Sequence, residues 1–139
     1  MSNFDFSTLI TDRTAADVKA RNVKGTYNAT DLNRVGEAVR YLAGIYAERG
    51  YVVPVAPKVD WQESDWPPPS AMARYLQDVE TLREQVPMLD GTPETPETME
   101  KLTHLTANNI EQILLDCEDM LRRMELAWFC SGEIYCGEV

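Results

Sequence analysis

The apolar residues of this chain recur at helical spacing in several segments, most clearly between residues 28 and 50. Asn28 supplies a side chain that caps helices, and Gly50 suits the left-handed turn that ends them. Between these two residues the apolar positions lie three or four residues apart, which places them on one helix face. This face consists of Leu32, Val35, Val39, Leu42 and Tyr46. The spacing predicts an amphipathic helix roughly 30 Å long, with Arg34 and Arg40 off its apolar face.

The second half of the chain contains two more patterns of this kind. One helix is predicted from near Ser70 to about Gln85, with Pro87 beyond its end. Its inward face holds Met72, Tyr75, Leu76, Val79 and Leu82. The longest helix is predicted to begin at Thr106, and its apolar stripe repeats every seven residues. This stripe holds Ile110, Ile113, Leu114, Cys117, Met120, Leu121, Met124, Ala127 and Trp128.

Shorter elements are predicted between and before these helices. Thr14 and Asp17 have the spacing of a capping box, so a short helix should begin after Thr14 and end at Gly25. Residues 51–57 are rich in β-branched side chains but include two prolines, which lack the N–H that a central strand donates. They predict an edge strand or an extended strap.

Together these elements predict a mainly α protein with a single domain over residues 1–139. A short extended arm covers residues 1–13, and a compact bundle of three to four helices covers residues 14–128. A short extended tail covers residues 129–139, where an aromatic-Cys-Gly-Glu pattern occurs twice. The longest apolar runs fall far short of the ~20 residues that span a bilayer, so we expect no membrane association.

Charge divides the chain into two unlike parts. Residues 1–75 carry nine basic and nine acidic residues, whereas residues 76–139 carry four basic and fourteen acidic ones, so the whole net charge of −10 lies in the second part. Nucleic-acid binding needs clustered Lys and Arg, and we therefore expect no direct nucleic-acid binding. The acidic part should stay in solvent or face a basic partner.

Residue types that catalyse reactions or bind metals occur here without the partners they need. His104 is the only histidine, and the nearby Thr103, Thr106 and Asn108 offer neither a carboxylate nor a second imidazole. The acidic pairs Glu118-Asp119 and Glu97/Glu100 lack the ligand spacing of a calcium loop. Phosphate-binding and serine-nucleophile motifs do not occur. The sequence therefore predicts no enzyme activity, no catalytic residue, no metal site and no cofactor.

The three cysteines, Cys117, Cys130 and Cys136, are too few for a disulfide framework. Reduced thiols are the expected state. A bond between Cys130 and Cys136 is the alternative if the protein meets an oxidising exterior.

Several aromatic residues outside the predicted core are candidates for an interaction surface, because exposed aromatic side chains often anchor interfaces. Core packing is the alternative for the tryptophans, above all for Trp128. The candidate contact residues are Phe4, Phe6, Trp61, Trp66, Phe129 and Tyr135.

Four phrases, in this order along the chain, resemble a module of phage and prophage structural proteins. They are LITDRT at residues 9–14, YNATDLNRVGEAV at 27–39, PKVDW at 57–61 and WFCSGE at 128–133. The module occurs mostly in uncharacterised or tail-associated proteins of phages from Gram-positive gut bacteria. The resemblance covers nearly the whole chain and brings no catalytic motif with it.

The resemblance implies a non-enzymatic virion structural protein of the tail or baseplate region, assembled in the host cytoplasm. Other tail and virion proteins would be its partners, and homo-oligomers are expected. The alternative is a small acidic phage-encoded inhibitor that mimics nucleic acid or blocks a host defence protein. Small size and acidic composition favour this alternative, whereas the placement of many acids in a proline-rich loop disfavours it.

Overall fold

The computed structural model is mainly α-helical. It describes residues 4–21, 27–50, 52–65, 67–85, 91–100 and 102–137, with side chains as far as residue 126. The described elements are a 3-10 turn at Phe6–Thr8 and four α-helices: α1 Ala15–Ala20, α2 Ala29–Glu48, α3 Pro69–Gln85 and α4 His104–Gly137. The predicted mainly α bundle is confirmed.

Local capping contacts set where three of these helices begin. Capping boxes at Thr14 and Asn28 start α1 and α2 at the predicted positions. The start of α4 differs from the prediction, because Thr103 caps it in place of Thr106. The amide of Thr106 donates to Oγ1 of Thr103 at 3.2 Å, and the amide of Thr103 donates to Oγ1 of Thr106 at 2.8 Å.

The apolar faces of α2, α3 and α4 pack together and form the core. Leu42, Val79 and Ile113, one from each helix, are fully buried. Burying a side chain of this size stabilises the fold by about 1.5–3 kcal/mol. Among the side chains described on α4, as far as residue 126, the last buried one is Leu121, and Met124 packs half-buried against the core.

The helices α2 and α4 run in the same direction. Near their starts, Nε of Arg34 lies 2.7 Å from Oε1 of Glu111. At the end of α2, Nη2 of Arg49 lies 3.0 Å from Oε2 of Glu125. The helices advance by almost the same number of residues between these contacts, so they lie side by side and parallel.

The helix α3 also runs parallel to α2. The hydroxyl of Tyr27, just before α2, forms a hydrogen bond with the hydroxyl of Tyr75 in the first half of α3. The ends of the two helices are linked by the hydroxyl of Tyr46, which donates to the carbonyl of Leu82 at 3.3 Å. Parallel neighbours need connections that return along the bundle, in contrast to the short loops of up-and-down bundles.

The first of these connections is an extended strap, residues 52–60, whose residues alternate between exposed and half-buried. Nη2 of Arg74 donates to the carbonyl of Pro54 at 3.1 Å. Just beyond the strap, the side-chain amide of Asn33 accepts from the amide of Trp61 at 2.7 Å and donates to its carbonyl at 2.9 Å. Among the described residues the strap pairs with no strand, so the predicted edge strand is wrong and the predicted strap is present. Side chains of α2 and α3 replace the strand partner.

The N-terminal arm and α1 differ from the predicted outline. The arm was expected to be extended, but it contains the 3-10 turn because Oδ1 of Asp5 accepts from the amide of Ser7 at 3.0 Å. The helix α1 ends before Arg21, which adopts a left-handed conformation with φ 54°. The predicted helix end, Gly25, lies outside the described residues.

The extended tail predicted for residues 129–139 is wrong, because α4 continues as helix to Gly137. Once a helix is nucleated, each added residue contributes one more main-chain hydrogen bond. This gain offsets the low helix propensity of Gly132, which costs about 1 kcal/mol relative to Ala.

Candidate functional site

Three buried charged side chains and one half-buried arginine, Arg34, form an ion network where the N-terminal arm crosses α2 and α4. Oε2 of Glu111 accepts from Nη2 of Arg13 at 2.5 Å and from Nη2 of Arg34 at 3.0 Å, and its Oε1 accepts from Nε of Arg34 at 2.7 Å. Oδ1 of Asp31 accepts from Nη2 of Arg34 at 2.6 Å and from Nη2 of Arg13 at 3.4 Å. Two positive and two negative charges balance each other, which lowers the cost of burying them.

Main-chain hydrogen bonds fix the arm to the same network. The amide of Ile10 donates to Oε1 of Glu111 at 3.0 Å. The side-chain amide of Asn108 accepts from the amide of Arg13 and donates to the carbonyl of Arg13, both at 3.0 Å. Nη1 of Arg13 donates to the carbonyl of Ile10 at 2.8 Å. A shift of the arm by one residue would break its bonds to Glu111 and Asn108.

Two tyrosines border the network. The guanidinium carbon of Arg13 lies 5.5 Å from the ring centroid of Tyr27, within the range of a cation–π contact. Burial raises the pKa of Tyr27 and of Tyr75 above the ordinary value of 10.0. Burial opposes the charge of Arg34, but hydrogen bonds and charges of its carboxylate partners raise the pKa of Arg34. At neutral pH these phenols are neutral and Arg34 is charged, so the charges of the network stay balanced.

The predicted contact residues that the structure describes lie in separate places. The rings of Phe4 and Phe6 pack edge to face with their centroids 5.0 Å apart. The ring of Phe6 also packs edge to face on that of Tyr41 in α2, with the two centroids 5.7 Å apart. Trp61 is half-buried, and Nζ of Lys58 lies 5.0 Å from its ring centroid. Each of these three rings therefore makes contacts within the chain. A role for them in binding a partner stays a prediction.

The other predicted residues fall where side chains are not described. Phe129, Cys130, Tyr135 and Cys136 lie on the helical backbone of α4, beyond residue 126. Trp66 lies outside the described residues.

The acidic pair on α4 and the described cysteine have structural roles. Glu118 pairs with Arg122, and Asp119 pairs with Arg123, one helical turn along the surface. Cys117 is a free, buried thiol, and burial raises its pKa to about 12. In the described part of the chain, His, Cys, Asp and Glu form no group of three or more that could hold a metal ion. None of the described helices is long and apolar enough to cross a membrane.

Sequence reasoning missed the ion network, although the sequence holds signals of it. Glu111 lies beside the apolar stripe of α4, and no basic residue lies three or four positions from it. An acid in this position needs a partner from another segment. The other three members, Arg13, Asp31 and Arg34, lie in the phrases 9–14 and 27–39.

A groove runs along α3, between this helix and the connection that precedes α4. We call it the α3 groove. Its wider part has a volume of about 550 Å³ and is lined mainly by apolar side chains. A second part of about 470 Å³ shares Ala73, Leu76 and Glu97 with the first and continues toward the end of α3. Carboxylates line the groove at Glu80, Glu94, Glu97 and Glu100.

No protein-family model matches this chain, and comparisons with curated proteins and with solved structures found no match either. The class of protein is therefore defined by the fold: a mainly α bundle of three parallel helices, with an N-terminal arm held by buried ions. A proposal about its function has to rest on the sequence and on features of its surface.

Proposed function

We propose that the protein is a non-enzymatic structural component of a phage virion, associated with the tail or baseplate and assembled in the host cytoplasm. It acts by forming homo-oligomers and by docking onto other tail proteins. The resemblance of four ordered phrases to a phage structural module supports this proposal. The observation that carries it is the length of α4.

The helix α4 extends past the end of α2. Arg49, the C-terminal cap of α2, pairs with Glu125 of α4, so α2 ends at the level of Glu125. Residues 126–137 continue α4 by roughly 18 Å at 1.5 Å per residue. We call this segment the α4 overhang.

The sequence of the α4 overhang is mostly apolar. Glu133 is its only charged residue, and Leu126, at its start, is 60% exposed. A helix with so few polar positions is typical of one that is covered by other protein. We infer that another tail protein covers the α4 overhang in the assembled particle.

The buried ion network supports a structural role in a second way. Arg13 and Glu111 lie 98 positions apart in the sequence and join the N-terminal arm to α4. A rigid arm and a projecting helix give the molecule two fixed points of attachment. This arrangement suits a component that must hold its neighbours in a defined geometry.

A shortened chain that ends at Glu125 tests the proposal. We expect it to fold with an unchanged melting temperature, because Leu121 is the last buried side chain among those described on α4. It should lose binding to tail proteins from an infected lysate, whereas the full chain should bind them and also form a homo-oligomer. Light scattering with and without the lysate measures both properties.

A chain that ends at Gly137 is the matched control, because it is also shortened but keeps the α4 overhang. It should behave like the full chain. If the full chain is monomeric and stays so with tail extracts, the proposed function is wrong.

The second candidate function is the small acidic phage-encoded inhibitor. The observation that favours it is the exposure of Glu94, Glu97 and Glu100, which recur at every third position. Nε of Arg83 donates to the carbonyl of Pro93 at 3.1 Å. This bond holds the main chain next to Glu94, the first of the three acids, against α3. Flanking tail genes would favour the structural role, and an early-expressed gene cluster would favour the inhibitor.

A further inference from the structure

The α3 groove combines an apolar floor with unpaired carboxylates. Glu94, Glu97 and Glu100 are exposed, and no cation among the described residues lies within ion-pair distance of them. The carboxylate of Glu80 has Arg83 at 4.0 Å. A groove of this kind is complementary to an apolar side chain flanked by cations.

The helix α1 and its C-terminal cap, Arg21, offer an exposed apolar side chain and two exposed cations, beside the one carboxylate of the helix, that of Asp17. None of the residues of α1 is buried, and Val18 is 43% exposed. Lys19 and Arg21 are exposed, and within the described ranges neither lies within ion-pair distance of a carboxylate. A six-residue helix has little stability of its own, so cover by another chain would stabilise it.

The helix α1 and the acidic groove are neighbours on one side of the molecule. Val18 lines a crevice of about 390 Å³ together with Tyr27 and Leu102. Tyr27 and Leu102 also line the α3 groove. A twofold axis that passes between α1 and the groove would place α1 of each copy on the groove of the other copy.

We propose that two copies of this chain associate with α1 of each copy docked in the α3 groove of the other. Val18 enters the apolar floor, and Lys19 and Arg21 pair with Glu94 and Glu97. This inference rests on the proposed function, because it names the surface through which the homo-oligomer forms.

The strength of this contact follows from its size and charge. Two short helices cover less area than the ~1,200 Å² of stable interfaces, so we expect a Kd on the order of 10 μM. Salt screens charges separated by more than about 8 Å at physiological ionic strength. Raising NaCl from about 0.05 M to about 0.5 M should weaken the association several-fold.

Two charge-reversed variants test the proposal. One carries Lys19→Glu with Arg21→Glu, and the other carries Glu94→Lys with Glu97→Lys. All four positions are exposed, so each variant should keep the circular dichroism spectrum and melting temperature of the unmodified chain. In analytical ultracentrifugation each variant alone should associate at least about tenfold more weakly, because like charges then face each other.

A mixture of the two variants should recover the association of the unmodified chain. In the mixed dimer an acidic α1 meets a basic groove, and a basic α1 meets an acidic groove, so both contacts are attractive again. The control variant, Arg40→Glu with Lys58→Glu, lowers the net charge as much as the Lys19/Arg21 variant does, at exposed positions outside α1 and the groove. It should associate like the unmodified chain.

The outcomes separate this inference from the proposed function. If the unmodified chain associates and both variants associate equally well, or if their mixture does not recover, the inference is wrong and the proposed function stands. If the chain is monomeric alone but binds tail extracts, the inference is wrong, and of the proposed function the docking onto tail proteins stands but the homo-oligomer does not. A chain that is monomeric with and without extracts overturns both.

Discussion

Glu111 is fully buried and accepts hydrogen bonds from two arginines and one main-chain amide. The variant Glu111→Gln keeps the shape of the side chain but leaves Arg13 and Arg34 with the single carboxylate of Asp31. Removing one partner of a buried ion pair costs about 3–5 kcal/mol, because the remaining charge is uncompensated. We expect urea unfolding to show a loss of this order.

Glu118→Gln is the matched control, one heptad further along α4. Glu118 pairs with an exposed arginine on the same helix, and such a pair contributes only about 0.3–0.5 kcal/mol. Equal effects of the two substitutions would show that the network does not stabilise the fold. The apolar pattern of α4 predicts neither the role of Glu111 nor that of Glu118. It indicates which face of the helix is buried, but not which acid lies near a cation.

At the scale of elements, the periodic patterns predicted α2 and α3 well. All five residues of the predicted face of α2 are buried, from Leu32 to Tyr46, and α3 ends at the predicted Gln85. The tail was predicted wrongly, because its repeated aromatic-Cys-Gly-Glu pattern suggested an extended segment, whereas α4 continues through it to Gly137. Local patterns could not predict the ion network, because its partners Arg13 and Glu111 lie far apart in the sequence.

The strap passes so close to α2 that Gly36 lies beneath it. A Cβ atom at this position would lie 2.5 Å from the carbonyl oxygen of Lys58 and 3.2 Å from Cγ1 of Val59. The variant Gly36→Ala therefore has to displace the strap backbone, and overpacking of this kind costs about 1–3 kcal/mol. We expect a lower free energy of unfolding, although alanine by itself favours helix by about 1 kcal/mol.

Gly44 provides the control on the same helix. A Cβ atom there would meet nothing within 4 Å, so Gly44→Ala should stabilise the protein by about 1 kcal/mol. Opposite signs of the two changes in chemical denaturation would confirm close docking of the strap. If both substitutions stabilise the protein, the strap does not pack on α2 as described.

At the scale of the whole molecule, the charge asymmetry has a more specific meaning than the sequence alone indicates. Glu111 and Asp78 belong to the acidic part of the chain, yet both are buried and paired with arginines. Within the described ranges, unpaired carboxylates of this part line the α3 groove at Glu94, Glu97 and Glu100. The parallel arrangement causes this, because the connection that returns to the start of α4 lies alongside α3.

The stability of the molecule should decrease at alkaline pH, because several weak acids are buried in and around the core. Burial raises the pKa of Cys117 from 9.0 to about 12 and raises the pKa values of Tyr27 and Tyr75 above 10.0. Since the folded-state values exceed the unfolded ones, the contribution of these protonated groups is fully present below about pH 9. It is lost as the pH rises from about 9 toward 12, because only the unfolded chain releases these protons readily.

Thermal melting followed by circular dichroism between pH 7 and pH 11 measures this loss. The melting temperature should be level up to about pH 9 and then fall. In the variant Cys117→Ala the fall should begin nearer pH 10, where the tyrosines of the unfolded chain titrate, since the thiol no longer contributes. A melting temperature that stays level to pH 11 would show that the thiol and both phenols titrate alike in the folded and unfolded chains, and so would contradict their burial.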